Sequence, residues 1–340
     1  MPDGRPVFLV GVDTEADDQW SVEGRRRLSV RNADCLPRLQ ALCDRYRVRP
    51  SYLVTHEIAT TPASAAVLRD LLAAGRCEVG AHLHPWSSPP YREEDLVGRF
   101  PSQLPDDLLE RQLRELTEAI AAHVGVRPTS YRAGRHGFDE RSLRHLETLG
   151  YTVDTSVDPL FNETRFGGPT FAGAPVAPYH PDQADLRRPG ASHILEVPVS
   201  SATLPRLPKA LEGLYASLSP RRWRGPLKRL GLRPVWLRPS YSPAPDAIAL
   251  AEALVARGVA TLNMLFHSSE LLPGGSPYHR DQGAVDAFYA TFERVVEHIM
   301  GRIGATSMTY GEYAASVATL PNASTSCRDL PEKRSASGSR

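Results

Sequence analysis

The sequence predicts an α/β protein built as one (β/α) barrel, complete or lacking a strand. Three observations carry that expectation. Short apolar, β-branched runs alternate with helical patterns over about 315 residues, the rhythm of βα units around parallel strands. The runs end in ionisable residues, as barrel strands do at the face where chemistry collects. No GxGxxG or GxxxxGKS/T turn follows a strand, so nucleotide binding of those types has no support. An open doubly wound sheet is the alternative.

The strand candidates, in order, are "VFLVGVD", "RPSYLVT", "CEVGAHLH", "TSYRAGR", "YTVDTSVD", "HILEVPVS", "VWLRPS", "ATLNMLFHS" and "ATSMTY". Between them, "NADCLPRLQALCDRYR", "ASAAVLRDLLAAGR", "DDLLERQLRELTEAIAAHVG", "DERSLRHLETLGY" and "PDAIALAEALVARG" carry apolar residues at three- and four-residue spacing, the stripe of an amphipathic helix. Asn32, Asp106 and Asp139 are candidate N-caps, and Gly75, Gly125, Gly150 and Gly258 stand where helices should stop.

From Pro159 to Ser240, prolines, glycines and arginines crowd around only two strand-like runs, an insertion long enough to be a lid. Within it, over residues 204–240, Arg206, Lys209, Arg221, Arg222, Arg224, Lys228, Arg229, Arg233 and Arg238 face a single acid, Glu212. Three readings stand: a solvated loop, an anion site for a diphosphate carrier, and attraction to an anionic membrane leaflet helped by Trp223 and Trp236. The expected organisation is a barrel domain over residues 1–318, with the insertion at about 159–240, and a polar, disordered tail over 319–340.

With 340 residues, a net charge of +1, 41% hydrophobic and 23% charged residues, the composition is that of an ordinary globular protein, which argues against a nucleic-acid-coating chain. The first residues lack the basic and long apolar regions of a signal peptide, and no stretch approaches the roughly 20 apolar residues of a membrane helix. A cytoplasmic protein is expected, with peripheral membrane contact left open. Cys35, Cys43, Cys77 and Cys327 form no CxxC pair, which suits free thiols rather than a structural zinc.

The strand ends hold Asp13 and Glu15, then His82 and His84, then Arg132 to His136, then Asp154 to Asp158, and finally His267. Two imidazoles and a carboxylate are a common ligand set for a divalent ion such as zinc, with positions left open for water and substrate. Residues two apart on a strand share a face, so His82 and His84 can aim at one ion, and Asp13 and Glu15 can act together. One carboxylate can hold the metal while its neighbour takes a proton. Separately, each fragment has a plain reading, a packed histidine or a helix-capping acid.

The series "VDTEADD", "CEVGAHLHPW", "YRAGRHG", "DTSVD" and "LNMLFHSSELLPG" resembles the five motifs of the polysaccharide deacetylase family, carbohydrate esterase family 4 with its NodB homology domain, over about Val7 to Ala315. The resemblance implies a deformed barrel of seven or eight βα units and metal-assisted removal of an N-acyl, most often N-acetyl, group from an amino sugar. It implies Asp13 as base, Glu15, His82 and His84 as metal ligands, zinc as the first-choice divalent metal, Arg132 as the residue orienting Asp13, Asp154 as the partner holding the catalytic histidine, and His267 as general acid. Two departures stand out. Glu15 replaces the more usual aspartate, leaving Asp17 or Asp18 as alternative ligands. The histidine pair is one residue apart, where the family's wider spacing would fall on Trp86.

Trp86, His136, Arg238 and Tyr241 are further candidates for contact with substrate, each with packing or solvent exposure as the plain alternative. The remaining histidines have no partner pattern and read as structural or surface residues. A cytoplasmic, lipid-linked or nucleotide-linked sugar is the expected substrate, with no nucleic-acid partner. Another metal-dependent barrel hydrolase of the amidohydrolase or phosphoesterase type is a rival, as is an idle sugar-binding homologue.

Overall fold

In a computed structural model, residues 4–205, 207, 211, 214, 215 and 231–319 are described. The expected tail, Glu212, Trp223 and most of the basic run lie outside them, apart from Arg233, Trp236 and Arg238.

Eight strands form one sheet in which every pairing is parallel. From the first strand, β1 (Val7–Thr14), the order runs through β2 (Pro50–Val54), β3 (Glu78–Leu83), β4 (Ser130–Ala133), β5 (Val153–Asp154) and β6 (Leu195–Glu196). Strand β9 (Thr261–His267) also pairs with β1, and β10 (Thr306–Ser307) pairs with its first two residues. Backbone bonds link the two ends of this curled sheet: Ser200 N donates to Asn263 O at 3.1 Å, Leu237 N to Ser200 O at 2.8 Å, and Leu265 N to Leu237 O at 3.1 Å. The result is a deformed (β/α) barrel with an irregular seam.

One expected barrel strand lies elsewhere. The run "VWLRPS" contributes β8 (Arg233–Trp236), which pairs antiparallel with β7 (Ser201–Leu204), a strand without a sequence-based expectation. The chain leaves the ring at Ser201 and comes back alongside itself in the reverse direction, so the pair forms a separate two-stranded ribbon.

Strand periodicity sorts the side chains into two layers. On the outer face Phe8, Val10, Val12, Val79, Ala81, Leu83, Tyr131, Leu262, Met264 and Phe266 pack into the main core. Against them lie helices including α2 (Leu36–Arg45), α4 (Pro62–Ala73), α5 (Asp106–His123) and α6 (Glu140–Leu149). On the inner face Val7, Leu9, Leu53, Val153, Leu195 and Val197 fill the lower ring, and Tyr310 and Tyr313 of the helix Tyr310–Ala318 plug it. Inward-facing polar residues occupy the upper ring.

Helix ends follow local chemistry. Asp139 caps α6 by accepting from Ser142 N, and Gly150 closes it in the left-handed conformation at φ 85°. Asp106 is the first residue of its helix rather than the cap, a place taken by Pro105. Asn32 caps nothing. Its amide donates to Glu15 O at 2.8 Å and Asp17 Oδ1 at 2.6 Å, bracing the segment that leaves β1.

Candidate metal centre and its cavity

The inner-face register brings the polar groups together. Asp13 of β1 is level with His267 of β9, and His82 of β3 with Arg132 of β4. All four open into a cavity of about 520 Å³, also lined by Glu15, His84, Trp86, His136, Arg238 and Tyr241.

Glu15, His82 and His84 are buried, with one ligand atom of each lying within 4.8 Å of the others, and so are positioned to hold a metal ion. Glu15 Oε2 is 2.8 Å from His84 Nε2 and 3.6 Å from His82 Nε2. The far nitrogen of His82, Nδ1, lies 2.9 Å from the Arg132 carbonyl oxygen. Donation there by Nδ1–H directs Nε2 toward Glu15; burial works against a charge on His82, but Asp13 and Glu15 raise it above the ordinary histidine value, so a divalent ion would take the place of the Nε2 proton. Burial pulls His84 down to about 4, which keeps it neutral and able to ligate at ordinary pH. Burial alone would push Glu15 up, but His267, His82 and His84 hold it well below the usual carboxylate range. One carboxylate and two imidazoles are a donor set that fits a divalent metal.

The histidine spacing is resolved by packing. Trp86, where the wider spacing falls, stacks on the His84 ring with centroids 4.1 Å apart and donates its Nε1–H to Gln19. Only 1% exposed, Trp86 is a backing for the ligand, with no open face for a sugar. From another side Gly134 abuts His84, and a Cβ there would come within 2.3 Å of Nδ1.

Neither alternative carboxylate joins the cluster. Asp17 accepts from Asn32 and from Ser29 Oγ at 2.7 Å, and is paired with Arg31 at 3.3 Å. Asp18 accepts from Ser21 Oγ at 2.5 Å.

Asp13 Oδ1 accepts from Arg132 Nη1 at 2.5 Å, with both residues buried. Burial would raise Asp13, but Arg132, His82 and His267 lower it below the ordinary aspartate value. Arg132 also donates to the Thr155 carbonyl at 3.0 Å, Thr155 Oγ1 at 3.1 Å and Tyr310 Oη at 2.9 Å, while Tyr310 donates to Asn263 Oδ1 at 2.7 Å. Room for this network comes from Gly11, where a Cβ would lie 2.3 Å from Tyr310 Oη.

His267 Nε2 faces Asp13 Oδ2 and Glu15 Oε1, each at 3.8 Å. Its Nδ1 lies 3.0 Å from Glu270 Oε1 and 2.9 Å from Arg238 Nη2, while Arg238 Nη2 donates to Glu270 Oε1 at 2.6 Å. Burial pushes Glu270 up, but Arg238 and His267 bring it down to about 2. The carboxylate that holds His267 is therefore Glu270, three residues on, and not Asp154.

The reason for this correction is facial. Asp154 is in register with outward-facing Tyr131 and with Glu196, whereas its neighbour Val153 points inward. Asp154 accepts from Ser156 Oγ at 2.7 Å and Ser156 N at 3.0 Å, and Ser156 Oγ in turn accepts from Ala133 N at 2.8 Å. Asp154 braces the strand ends from outside the ring.

His136 lines the cavity with Nδ1 held 2.9 Å from Ser156 O, its ring beside Phe161. Tyr241 is 48% exposed, and Arg238 lies 3.8 Å from its ring centroid. Sequence reasoning missed Trp20, whose ring meets His267 edge-on at 5.3 Å, and Tyr278, whose hydroxyl is 2.9 Å from that of Tyr241. For Glu270 there was a signal: an acid three residues beyond the strand-end histidine.

Among the other histidines, His145 and His298 sit beside the carboxylates of Asp106 and Glu252 at 2.9 and 3.0 Å. Cys35, Cys43 and Cys77 are free thiols. Among the described residues no helix is long and apolar enough to cross a membrane.

No protein-family model matches the chain, and comparison with curated proteins finds no match. Solved structures do share its fold. A putative polysaccharide deacetylase from Mycobacterium smegmatis aligns with TM-score 0.57 and 16% identity, covering 94% of this chain and 92% of the other. A putative glycoside hydrolase/deacetylase from Parabacteroides distasonis aligns at 0.58 and 16%, covering 92% and 71%. The 4-alpha-glucanotransferase from Thermococcus litoralis aligns at 0.53 and 14%, and there the match covers 92% of this chain but only 40% of the larger enzyme. These likenesses show the fold. The choice among chemistries rests on the site.

Proposed function

We propose that the chain is a metal-dependent hydrolase that removes an N-acyl group, most simply N-acetyl, from an amino sugar. The observation that supports this reading is the placement of Asp13 and His267 beside the Glu15, His82 and His84 cluster, all facing one cavity.

A divalent ion held by Glu15, His82 and His84, with zinc the first choice, would supply Lewis acidity that polarises an acyl carbonyl and makes water a better acid. Asp13 is the proton acceptor. Arg132 keeps its carboxylate ionised and fixes Oδ1, leaving Oδ2 toward His267. The same Arg132 contact makes Asp13 a weaker base, so the water it deprotonates must already be acidified. From the neighbouring strand His267 directs Nε2 into the cavity and delivers a proton to the departing amine, its ring held from behind through Nδ1. Acetate and a free amine on the sugar are the products.

Metal analysis of the wild type, His82→Ala, His84→Ala and the double variant tests the ligand set. Acetate release from N-acetylated sugar nucleotides and lipid-linked glycans tests the reaction. Loss of bound metal in the double variant is expected, and full occupancy there would overturn the assignment. Retained turnover in Asp13→Asn would remove Asp13 from its role.

A further inference from the structure

We propose that Arg25 and Arg135 form an oxyanion-binding subsite at the edge of this cavity, so that the substrate is an acidic one bearing a carboxylate or phosphate. The inference deepens the proposed function, because it takes the cavity to be a substrate site.

Both arginines line the cavity, and both are held by carbonyl oxygens rather than acids. Arg25 donates from Nε to Gln19 O at 2.8 Å, from Nη1 to Leu96 O at 2.8 Å and from Nη2 to Trp20 O at 3.3 Å. Arg135 Nη1 donates to Gly98 O, with the guanidinium 3.9 Å from the Phe100 ring centroid. Among the described residues neither guanidinium has a carboxylate within ion-pair reach. Glu163 acts on Arg135, and Asp18 and Glu15 act on Arg25, only at longer range. A guanidinium carries five N–H donors, so each group keeps unused ones.

Gly98 brings the two cations together. Its carbonyl accepts from Arg135, and its φ of 86° and missing side chain admit Arg25, since a Cβ there would lie 3.0 Å from the guanidinium carbon. The backbone of Arg135 and His136 is left-handed, with φ 54° and 56°. Two successive non-glycine residues in that region cost on the order of 1 kcal/mol each, a strain tolerated where it presents a side chain. Burial, and the presence of Arg25, make the charge on Arg135 harder to hold. Two converging cations without an acid are stabilised by an external anion, and the planar fork of arginine matches carboxylate and phosphate oxygens.

The subsite is tied to the metal cluster through stacked rings. The Arg25 guanidinium carbon lies 5.0 Å from the Trp86 ring centroid, and Trp86 stacks on His84. An anionic group held there occupies the same cavity as the candidate metal ligands.

The test measures binding to metal-free full-length protein by calorimetry, independently of turnover. The probes are inorganic phosphate, neutral N-acetylglucosamine, carboxylate-bearing N-acetylmuramic acid and diphosphate-bearing UDP-N-acetylglucosamine. At least one charged sugar is expected to bind about tenfold more tightly than the neutral one, and which of the two does so identifies the anion. Inorganic phosphate should compete with it. In Arg135→Gln, and in Arg25→Lys combined with Arg135→Gln, the preference should fall to about twofold or less, while in the surface control Arg187→Gln it should persist. Arg135→Gln removes one carbonyl hydrogen bond and the contact with the Phe100 ring, fewer than the double variant, so it carries the test should the double variant fail to fold. Equal binding of charged and neutral sugars by the wild type, or an unchanged preference in Arg135→Gln, would overturn the subsite. Acidic-sugar binding by the metal-free protein, with no acetate release from the same sugar by the metal-loaded protein, would overturn the hydrolase reading alone.

Discussion

Two pairs of acids are buried on opposite faces of the same curled sheet, and they differ in charge. On the inner face Asp13 and Glu15 are surrounded by Arg132, His82, His84 and His267, and both are held below their ordinary values. On the outer face Asp154 and Glu196 have mainly each other. Burial raises Asp154, and burial together with Asp154 raises Glu196 well above the usual range, so the pair shares a proton. All four are at most 3% exposed, so burial does not set the charge. The neighbours do, and strand register chooses the neighbours. The inner pair keeps its charges toward the cavity, while the outer pair braces the strand ends.

The largest break in this contrast is expected from Arg132→Met, which leaves Asp13 as a buried, unpaired charge. A loss of about 3–5 kcal/mol in urea unfolding is the expected result, with much of it recovered on adding Asp13→Asn. A loss below about 1 kcal/mol would mean that Asp13 is not ionised.

Next in size is the acid limb of stability. Glu270 lies near 2 in the folded state against an ordinary 4.5, so the stability it adds is fully present above 4.5 and disappears as pH falls toward 2. That contribution is on the order of 2–3 kcal/mol. The Glu270→Gln variant should unfold at a lower urea concentration than wild type at neutral pH, with the two curves converging as pH falls through this window.

At the ligand cluster, Gly134→Ala forces a methyl group against His84. Metal affinity should fall by about tenfold or more in equilibrium dialysis, with the near-ultraviolet dichroism of Trp86 changed as well.

The smallest effect is expected outside the ring. In Glu196→Gln a neutral amide replaces a carboxyl whose proton is favoured by burial and by Asp154, with an oxygen still able to accept from Val157 N, so the cost at neutral pH should stay within about 1 kcal/mol. Glu196 has a raised folded value, so its stabilising contribution is complete below the unfolded value and is lost as pH rises. The variant should therefore gain on wild type as the solution is made alkaline, opposite in sign to Glu270→Gln.

Much of this was legible in the sequence. The alternation in "VFLVGVD" and "ATLNMLFHS" separates an outer apolar face from an inner one ending in Asp13 and His267, and the structure has the same layers. His82 and His84 were legible because period two fixes their common face. Asp154 was misread for the complementary reason. The strand it ends is only two residues long, too short for an alternation to announce its face, and only the pairing with Tyr131 reveals it. Arg25, Arg135 and Gly98 were out of reach because their meeting depends on short segments separated by more than thirty residues, for which no local period exists.

The seam of the ring couples architecture to reactivity. Leu237 supplies two of the backbone bonds that join the sheet ends, and the next residue, Arg238, grips Glu270 and His267. Slippage along that seam would carry the guanidinium away from the imidazole, so a barrel that fails to close there also loses the orientation of His267. Closure of the circle and the geometry of the site become one cooperative event, and the ribbon of β7 and β8, which leaves and rejoins the ring at this seam, is positioned to influence both.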